Sequence, residues 1–269
     1  MDYANFIQIL ITFVFGTAIG SFLNVLIWRL PRDQKPDGRS KCPNCNHQLI
    51  WKDLVPIFSF LFSGGKCRYC KKAVSWRYLI IEIITGLLFV SAWVVVLPLF
   101  LSDWILLVKI CFIISVLITV FVIDLEHYLI LDKIVIPATL VILAINLGYD
   151  LFPLADWRTS LLVGSFVGML AGFIPFFFLW LVSKGKWIGL GDAKFGIFLG
   201  AVFGFPQVWV VYLMAFLIGT VVAIPLLVTG KKELSGKLPL GTFLAISALV
   251  TLWFGVEIAS WYFRLIGLA

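Results

Sequence analysis

Asp124 closes a long apolar run, and Asp192 stands in Trp187-Ile188-Gly189-Leu190-Gly191-Asp192-Ala193-Lys194, which opens into another. Ionisable side chains at membrane depth are costly and are retained where they carry function. Two carboxylates in one low-dielectric site can share a proton, so that one serves as base and the other as acid. These residue types point to aspartyl protease chemistry, in which water attacks a peptide carbonyl without a covalent intermediate. A second reading fits the same residues: Asp124 and Asp192 cap helices, or pair with Lys133 and Lys194 at the interface. The glycines flanking Leu190 allow a close backbone approach, or a non-helical turn that lines a protein cavity. The chain has two histidines, His47 and His127, with no evident nucleophile for either, so a Ser-His-Asp arrangement has no support.

The cysteines offer a different chemistry. Cys42-Pro43-Asn44-Cys45 and Cys67-Arg68-Tyr69-Cys70 are two C-x-x-C knuckles separated by 21 residues. Each knuckle supplies two thiolates from a tight turn, and four thiolates close a tetrahedral zinc site. Such a site leaves no open position, so the zinc would be structural; free or redox-active thiols are the alternative. His47 is a possible further ligand, although four cysteines suffice. Cys111, alone in an apolar segment, reads as a small buried hydrophobe.

The elements that must position these groups are membrane helices. Residues are 62% hydrophobic, 13% charged and 16% aromatic, with a mean hydropathy of +1.07. That composition is far from soluble averages and fits an all-α polytopic membrane protein. Eight transmembrane helices are expected, near residues 6 to 28, 77 to 99, 104 to 124, 134 to 152, 159 to 182, 188 to 204, 207 to 229 and 240 to 261. Three parts follow: 1 to 28, the first transmembrane helix; 29 to 76, a cysteine-rich zinc-binding insertion; and 77 to 269, the transmembrane domain that carries both aspartates. The insertion is too small to fold on a hydrophobic core alone, and zinc would staple it.

Charge sets the orientation. Of the 21 lysines and arginines, 18 fall in 29 to 77, the loop after Asp124, 184 to 194 and 231 to 237, all on one side of the expected topology. Short cytoplasmic loops collect positive charge, so that side is cytoplasmic and both termini are outside. Arg158 and Arg264 map to the outer side. The same bias accounts for the net charge of +7 without a nucleic-acid partner. A reducing cytoplasm favours zinc over disulfides in the insertion. The first helix follows Asp2 in place of a basic start and is too long for a signal peptide, so it is expected to be retained.

Read together, these segments resemble the type IV prepilin peptidases, bacterial leader peptidases that are often also N-methyltransferases. The resemblance is carried in order by Gly20-Ser21-Phe22-Leu23-Asn24-Val25-Leu26-Ile27-Trp28-Arg29-Leu30-Pro31, the two knuckles, Ser75-Trp76-Arg77-Tyr78 leading to Glu82, the stretch from Asp124 to Pro137, and Gly189-Leu190-Gly191-Asp192-Ala193-Lys194. It implies a G-x-G-D aspartyl protease of the bacterial inner (cytoplasmic) membrane, with Asp124 and Asp192 as the catalytic pair. It also implies prepilin or pseudopilin substrates, cut after a glycine where a basic leader meets an apolar helix. Members with the cysteine domain commonly methylate the new N-terminus from S-adenosylmethionine, and Glu82 and the loop are candidate contributors. Three departures stand out: Leu131 where proline usually precedes residue 132, Leu79 where Arg-Tyr-Pro is common, and Leu240-Gly241-Thr242 in place of Phe-Gly-Pro. None of the three is expected to touch Asp124 or Asp192.

Three other readings compete. A peptidase without methyl transfer would leave an unmethylated product. A proton-coupled transporter would use the carboxylates as a relay, although no internal repeat is evident. A zinc-binding membrane scaffold would survive neutralisation of either aspartate.

Overall fold

The computed structural model describes residues 3–151, 160–228 and 238–265. Arg158 and the basic cluster at 231–237, which enter the orientation argument, lie outside the described residues. Among those described are nine α-helices and no strand: α1 (Tyr3–Arg29), α2 (Phe58–Phe62), α3 (Arg77–Val96), α4 (Leu101–His127), α5 (Asp132–Leu151), α6 (Leu161–Ser183), α7 (Leu190–Phe203), α8 (Gln207–Val228) and α9 (Leu240–Leu265). Seven of them, all but α2 and α7, are long and apolar enough to cross a membrane. The chain is an all-α, multi-pass membrane protein. The segment expected at 188 to 204 forms α7, but its 14 residues rise only about 21 Å, short of a hydrocarbon core of about 30 Å.

Local chemistry sets the helix ends. α3 stops at Leu97, whose φ of +40° precedes Pro98, and a residue before proline is disfavoured in the helical region. The Asp103 carboxylate accepts the N–H groups of Leu99 and Phe100 at 3.1 and 2.9 Å and so caps the start of α4. Ser160 caps α6 by accepting the Val163 N–H at 3.2 Å, the usual role of a serine at this position.

Contacts divide the chain into two units, Met1–Thr119 and Val120–Ala269. In the first, α1 and α3 pack antiparallel through small residues. A β-carbon at Gly16 would stand 2.8 Å from Gly86 Cα, and one at Gly20 would stand 2.8 Å from Glu82 Cα. One turn further along, Asn24 Nδ2 donates to the Tyr78 carbonyl at 3.1 Å. Glu82, 7% exposed, accepts the backbone N–H of Ile57 at 2.7 Å. Ile57 has a φ of +63°, and this bond ties the turn before α2 to α3.

In the second unit, Gly168 and Gly172 of α6 face Gly200 and Gly196 of α7 so closely that a β-carbon at any of the four would overlap the opposing backbone carbonyl. This is small-residue packing at a four-residue spacing, which lets membrane helices approach to backbone contact. Tyr212 of α8 donates its hydroxyl to the Gly172 carbonyl at 2.6 Å. Asn146 of α5 donates to Ser165 Oγ at 2.7 Å, and Ser165 donates to the Ala201 carbonyl at 2.8 Å. In a medium without water each of these polar groups needs such a partner. Together they hold α7 among α5, α6 and α8, which fixes the position of its N-terminus.

Candidate active site and metal centre

Asp124 lies in the last turn of α4 and Asp192 in the first turn of α7. Asp124 is 4% exposed. Its Oδ2 accepts two hydrogen bonds from the first turn of α9, from the Thr242 N–H at 2.6 Å and the Thr242 hydroxyl at 3.0 Å. Asp192 Oδ2 accepts the Gly189 N–H at 3.1 Å. Each carboxylate therefore sits at a helix N-terminus, where unpaired N–H groups and the helix dipole favour negative charge.

Ile130, in the turn between α4 and α5, shows how the helix ends converge. A β-carbon at Gly191 would stand 3.1 Å from Ile130 Cβ, and one at Gly241 would stand 2.8 Å from Ile130 Cδ1. One side chain thus touches the starts of both α7 and α9. The Gly241 β-carbon would also be 3.0 Å from Asp124 Oδ2. Gly189 is extended, at φ −75° and ψ 149°, and α7 begins at Leu190. Of the two roles open to the glycines around Leu190, close approach is the one that Gly191 fills.

The sequence singled out Asp124 and Asp192, and the helix starts that bond them, those of α9 and α7, both pack against Ile130. The expectation that the three departures stand clear of the aspartates is overturned by Gly241 and Thr242, which both touch Asp124. The unusual threonine at 242 was itself the signal; what sequence could not show was that α9 starts against the end of α4, 118 positions away. Lys194 reaches Asp132, Nζ to Oδ2 2.6 Å, so the cation two residues after Asp192 has a different carboxylate as its ion-pair partner.

The cysteine insertion folds as two copies of one turn. Cys42 N–H donates to the His47 carbonyl at 3.0 Å and Cys67 N–H to the Lys72 carbonyl at 2.8 Å. Asn46 and Lys71, each four residues after the first cysteine of its knuckle, return to the Cys42 and Cys67 carbonyls at 2.9 Å. Both have positive φ, 55° and 59°, and each turn is closed by one bridge, Lys41 with Gln48 and Lys66 with Ala73. The four Sγ atoms of Cys42, Cys45, Cys67 and Cys70 lie within 4.8 Å of one another, and Cys42 and Cys70 are 3.9 Å apart. Tetrahedral zinc with Zn–S bonds of about 2.3 Å needs sulfurs roughly 3.8 Å apart, so the cluster could bind zinc. Backbone N–H groups of Cys70 and Tyr69 hold the Cys67 thiol down to about 7. His47 does not belong to the cluster; its ring lies 3.6 Å from that of Tyr69, packing one knuckle on the other. Tyr69 in turn donates to Asp53 at 3.0 Å.

Residues 14–96 match the bacterial peptidase A24 N-terminal domain, and residues 111–224 match the type IV leader peptidase family. A prepilin leader peptidase/N-methyltransferase of Aeromonas salmonicida (strain A449) is 30% identical, over 94% of this chain and 92% of that protein. The chain belongs to the type IV leader peptidase family. Other family members similar to it carry the same name: one from Myxococcus xanthus (strain DK1622) is 36% identical over 81% of the chain and 63% of its own length, and one from Bacillus subtilis (strain 168) is 30% identical over 95% and 98%. The two family matches divide the features between them, with the cysteine cluster and Glu82 in the first and Asp124 and Asp192 in the second. No solved structure shows significant similarity to the chain.

Proposed function

We propose that this protein is an aspartic endopeptidase of the bacterial inner membrane that removes the basic leader of prepilins or pseudopilins at the cytoplasmic boundary. It then N-methylates the new N-terminus from S-adenosylmethionine. The observation that carries the reading is the placement of Asp124 and Asp192 at two neighbouring helix N-termini within a family of leader peptidases. Positive charge in 29 to 77 supports a cytoplasmic insertion and an outward N-terminus. The same reading divides the chain into a first helix to residue 28, a cysteine domain at 29–76 and a protease domain from 77 onward.

In the proposed reaction a water between the aspartates loses a proton to the ionised carboxylate as it attacks the scissile carbonyl. The protonated partner donates a hydrogen bond to the carbonyl oxygen, and later a proton reaches the leaving amine. Membrane lipid surrounds the helices, and a leader rich in lysine and arginine remains in water while the apolar helix of the substrate stays in lipid. Cys42, Cys45, Cys67 and Cys70 would hold zinc, whose role when bound is to close the insertion rather than to activate water. Methyl transfer moves CH3 from the donor's sulfonium to the new α-amine, which loses a proton to solvent. The reading of the first family domain beside relatives named for both activities supports this second step.

The test is cleavage of a purified prepilin with glycine at the cut by the parent, Asp124→Asn and Asp192→Asn proteins, each checked for folding. Cleavage after the glycine by the parent alone supports the aspartic mechanism. Cleavage that survives both substitutions overturns it. The mass of the processed pilin reads methylation in the same experiment.

A further inference from the structure

We infer that Thr242 is a positioning residue that clamps Asp124 by one oxygen, so that Asp124 serves as the ionised member of the pair and Asp192 carries the shared proton. The inference rests on the aspartic reading above and assigns its two roles.

Two donors converge on a single atom. Asp124 Oδ2 receives the Thr242 N–H at 2.6 Å and the Thr242 hydroxyl at 3.0 Å, with Asp124 and Thr242 both 4% exposed. A backbone N–H can only donate, so Oδ2 acts as an acceptor whatever the state of the other oxygen. Two donors on one oxygen, one of them at short range, favour the charged form of the carboxyl group. The side facing Gly241 is closed as well, because a β-carbon there would meet Oδ2 at 3.0 Å. Oδ1 is left to receive the proton of the attacking water.

Asp192 is held differently. Its Oδ2 receives the backbone N–H of Gly189 at 3.1 Å. Ile130 packs against the starts of both α7 and α9, and the charged and titratable groups nearest in sequence on the packed helix ends are Glu126 and His127 of α4 and the paired Asp132 and Lys194 of α5 and α7. Both aspartates accept a backbone N–H at a helix start, Asp124 from α9 and Asp192 from the residue before its own helix, and the Thr242 hydroxyl is the further donor on Asp124. A proline at 242, the residue the resemblance leads one to expect there, has neither N–H nor hydroxyl, so the clamp belongs to this chain rather than to the pattern.

The experiment compares Thr242→Val, which removes the hydroxyl at nearly constant volume, with Thr242→Ser, which keeps it, against the prepilin substrate over a range of pH. Thr242→Val is expected to lower kcat about tenfold with KM within about twofold, the loss that goes with one hydrogen bond to a charged group. The acid limb of its kcat profile should move to higher pH, because a carboxylate with one donor fewer ionises less readily. Thr242→Ser should keep the kcat and profile of the parent. Parent-like kcat and profile in Thr242→Val overturn the clamp, and so does a Thr242→Ser protein as impaired as Thr242→Val, since the methyl group would then be the cause. Asp124→Asn and Asp192→Asn run alongside: if they still cleave, the aspartic reading has failed; if they are inactive while Thr242→Val is normal, only the clamp has failed.

Discussion

Lys194 Nζ stands 2.6 Å from Asp132 Oδ2, joining the second turn of α7 to the first residue of α5. Lysine two residues after Asp192 invites the reading that it tunes that aspartate. Here its ion-pair partner is the carboxylate that opens the neighbouring helix, so its role is to hold the ends of α5 and α7 together on either side of Ile130. The side chains are 31% and 51% exposed, and an ion pair that open to water contributes about 0–1 kcal/mol.

Lys194→Met should therefore lower the unfolding free energy by no more than about 1 kcal/mol and leave prepilin cleavage within a few-fold of the parent. Thermal unfolding in detergent and steady-state kinetics measure both. A loss of activity comparable to that of Asp192→Asn would show that Lys194 acts on the aspartates after all.

Gly241→Ala is expected to act on the reaction more than on the fold. Its new β-carbon would meet Asp124 Oδ2 at 3.0 Å and Ile130 Cδ1 at 2.8 Å. The isoleucine end can rotate away, but the carboxylate is held by Thr242 and must shift. Displacements well under an ångström to an ångström in a reacting group cost about tenfold to a hundredfold in rate. Cleavage kinetics at unchanged melting temperature is the expected pattern, and parent-like kcat would contradict it.

Gly200→Ala should damage the fold itself. The added carbon would overlap the Gly168 carbonyl and crowd the Met169 nitrogen, and neither is a side chain that can turn aside. Forced separation of packed elements costs about 1–3 kcal/mol or more. Folded yield and the denaturant midpoint should both fall. Gly148→Ala, where nothing lies within 4 Å of the new carbon, should be neutral or slightly stabilising and serves as the control.

Metal analysis of the purified protein should find one zinc per chain, and none in Cys67→Ser. Removing zinc should expose the backbone of 40–73 to hydrogen exchange, because the knuckles are held by single bridges and a few turn bonds rather than by a core. The described helices from residue 120 onward should keep their protection. Loss of protection throughout the chain would give the metal a larger structural role than this.

Much of this protein was legible in its residues. Apolar runs separated by charge marked all seven spanning helices, since a segment in lipid must satisfy its own backbone and can do so only as a helix. The knuckle spacing named the four cysteines that come together, because two residues between ligands set the geometry of a turn almost regardless of what surrounds it. Asp124 and Asp192 stood out as charges where charge is expensive, and each accepts a backbone N–H at a helix start. The span expected at 188 to 204 was only partly legible: its residues are apolar enough, but Gly204 ends α7 after 14 residues.

Contacts between distant helices were decided by the tertiary structure alone. Nothing near Thr242 in the chain indicates that it faces Asp124, and nothing near Lys194 selects Asp132 over Asp192. The glycines of α6 and α7 read as ordinary membrane composition until their registers are matched, Gly168 with Gly200 and Gly172 with Gly196. Local hydropathy and spacing act over a few residues and so can be read along the chain. Which helix end meets which is settled by packing many side chains at once, and that sum is visible only in three dimensions.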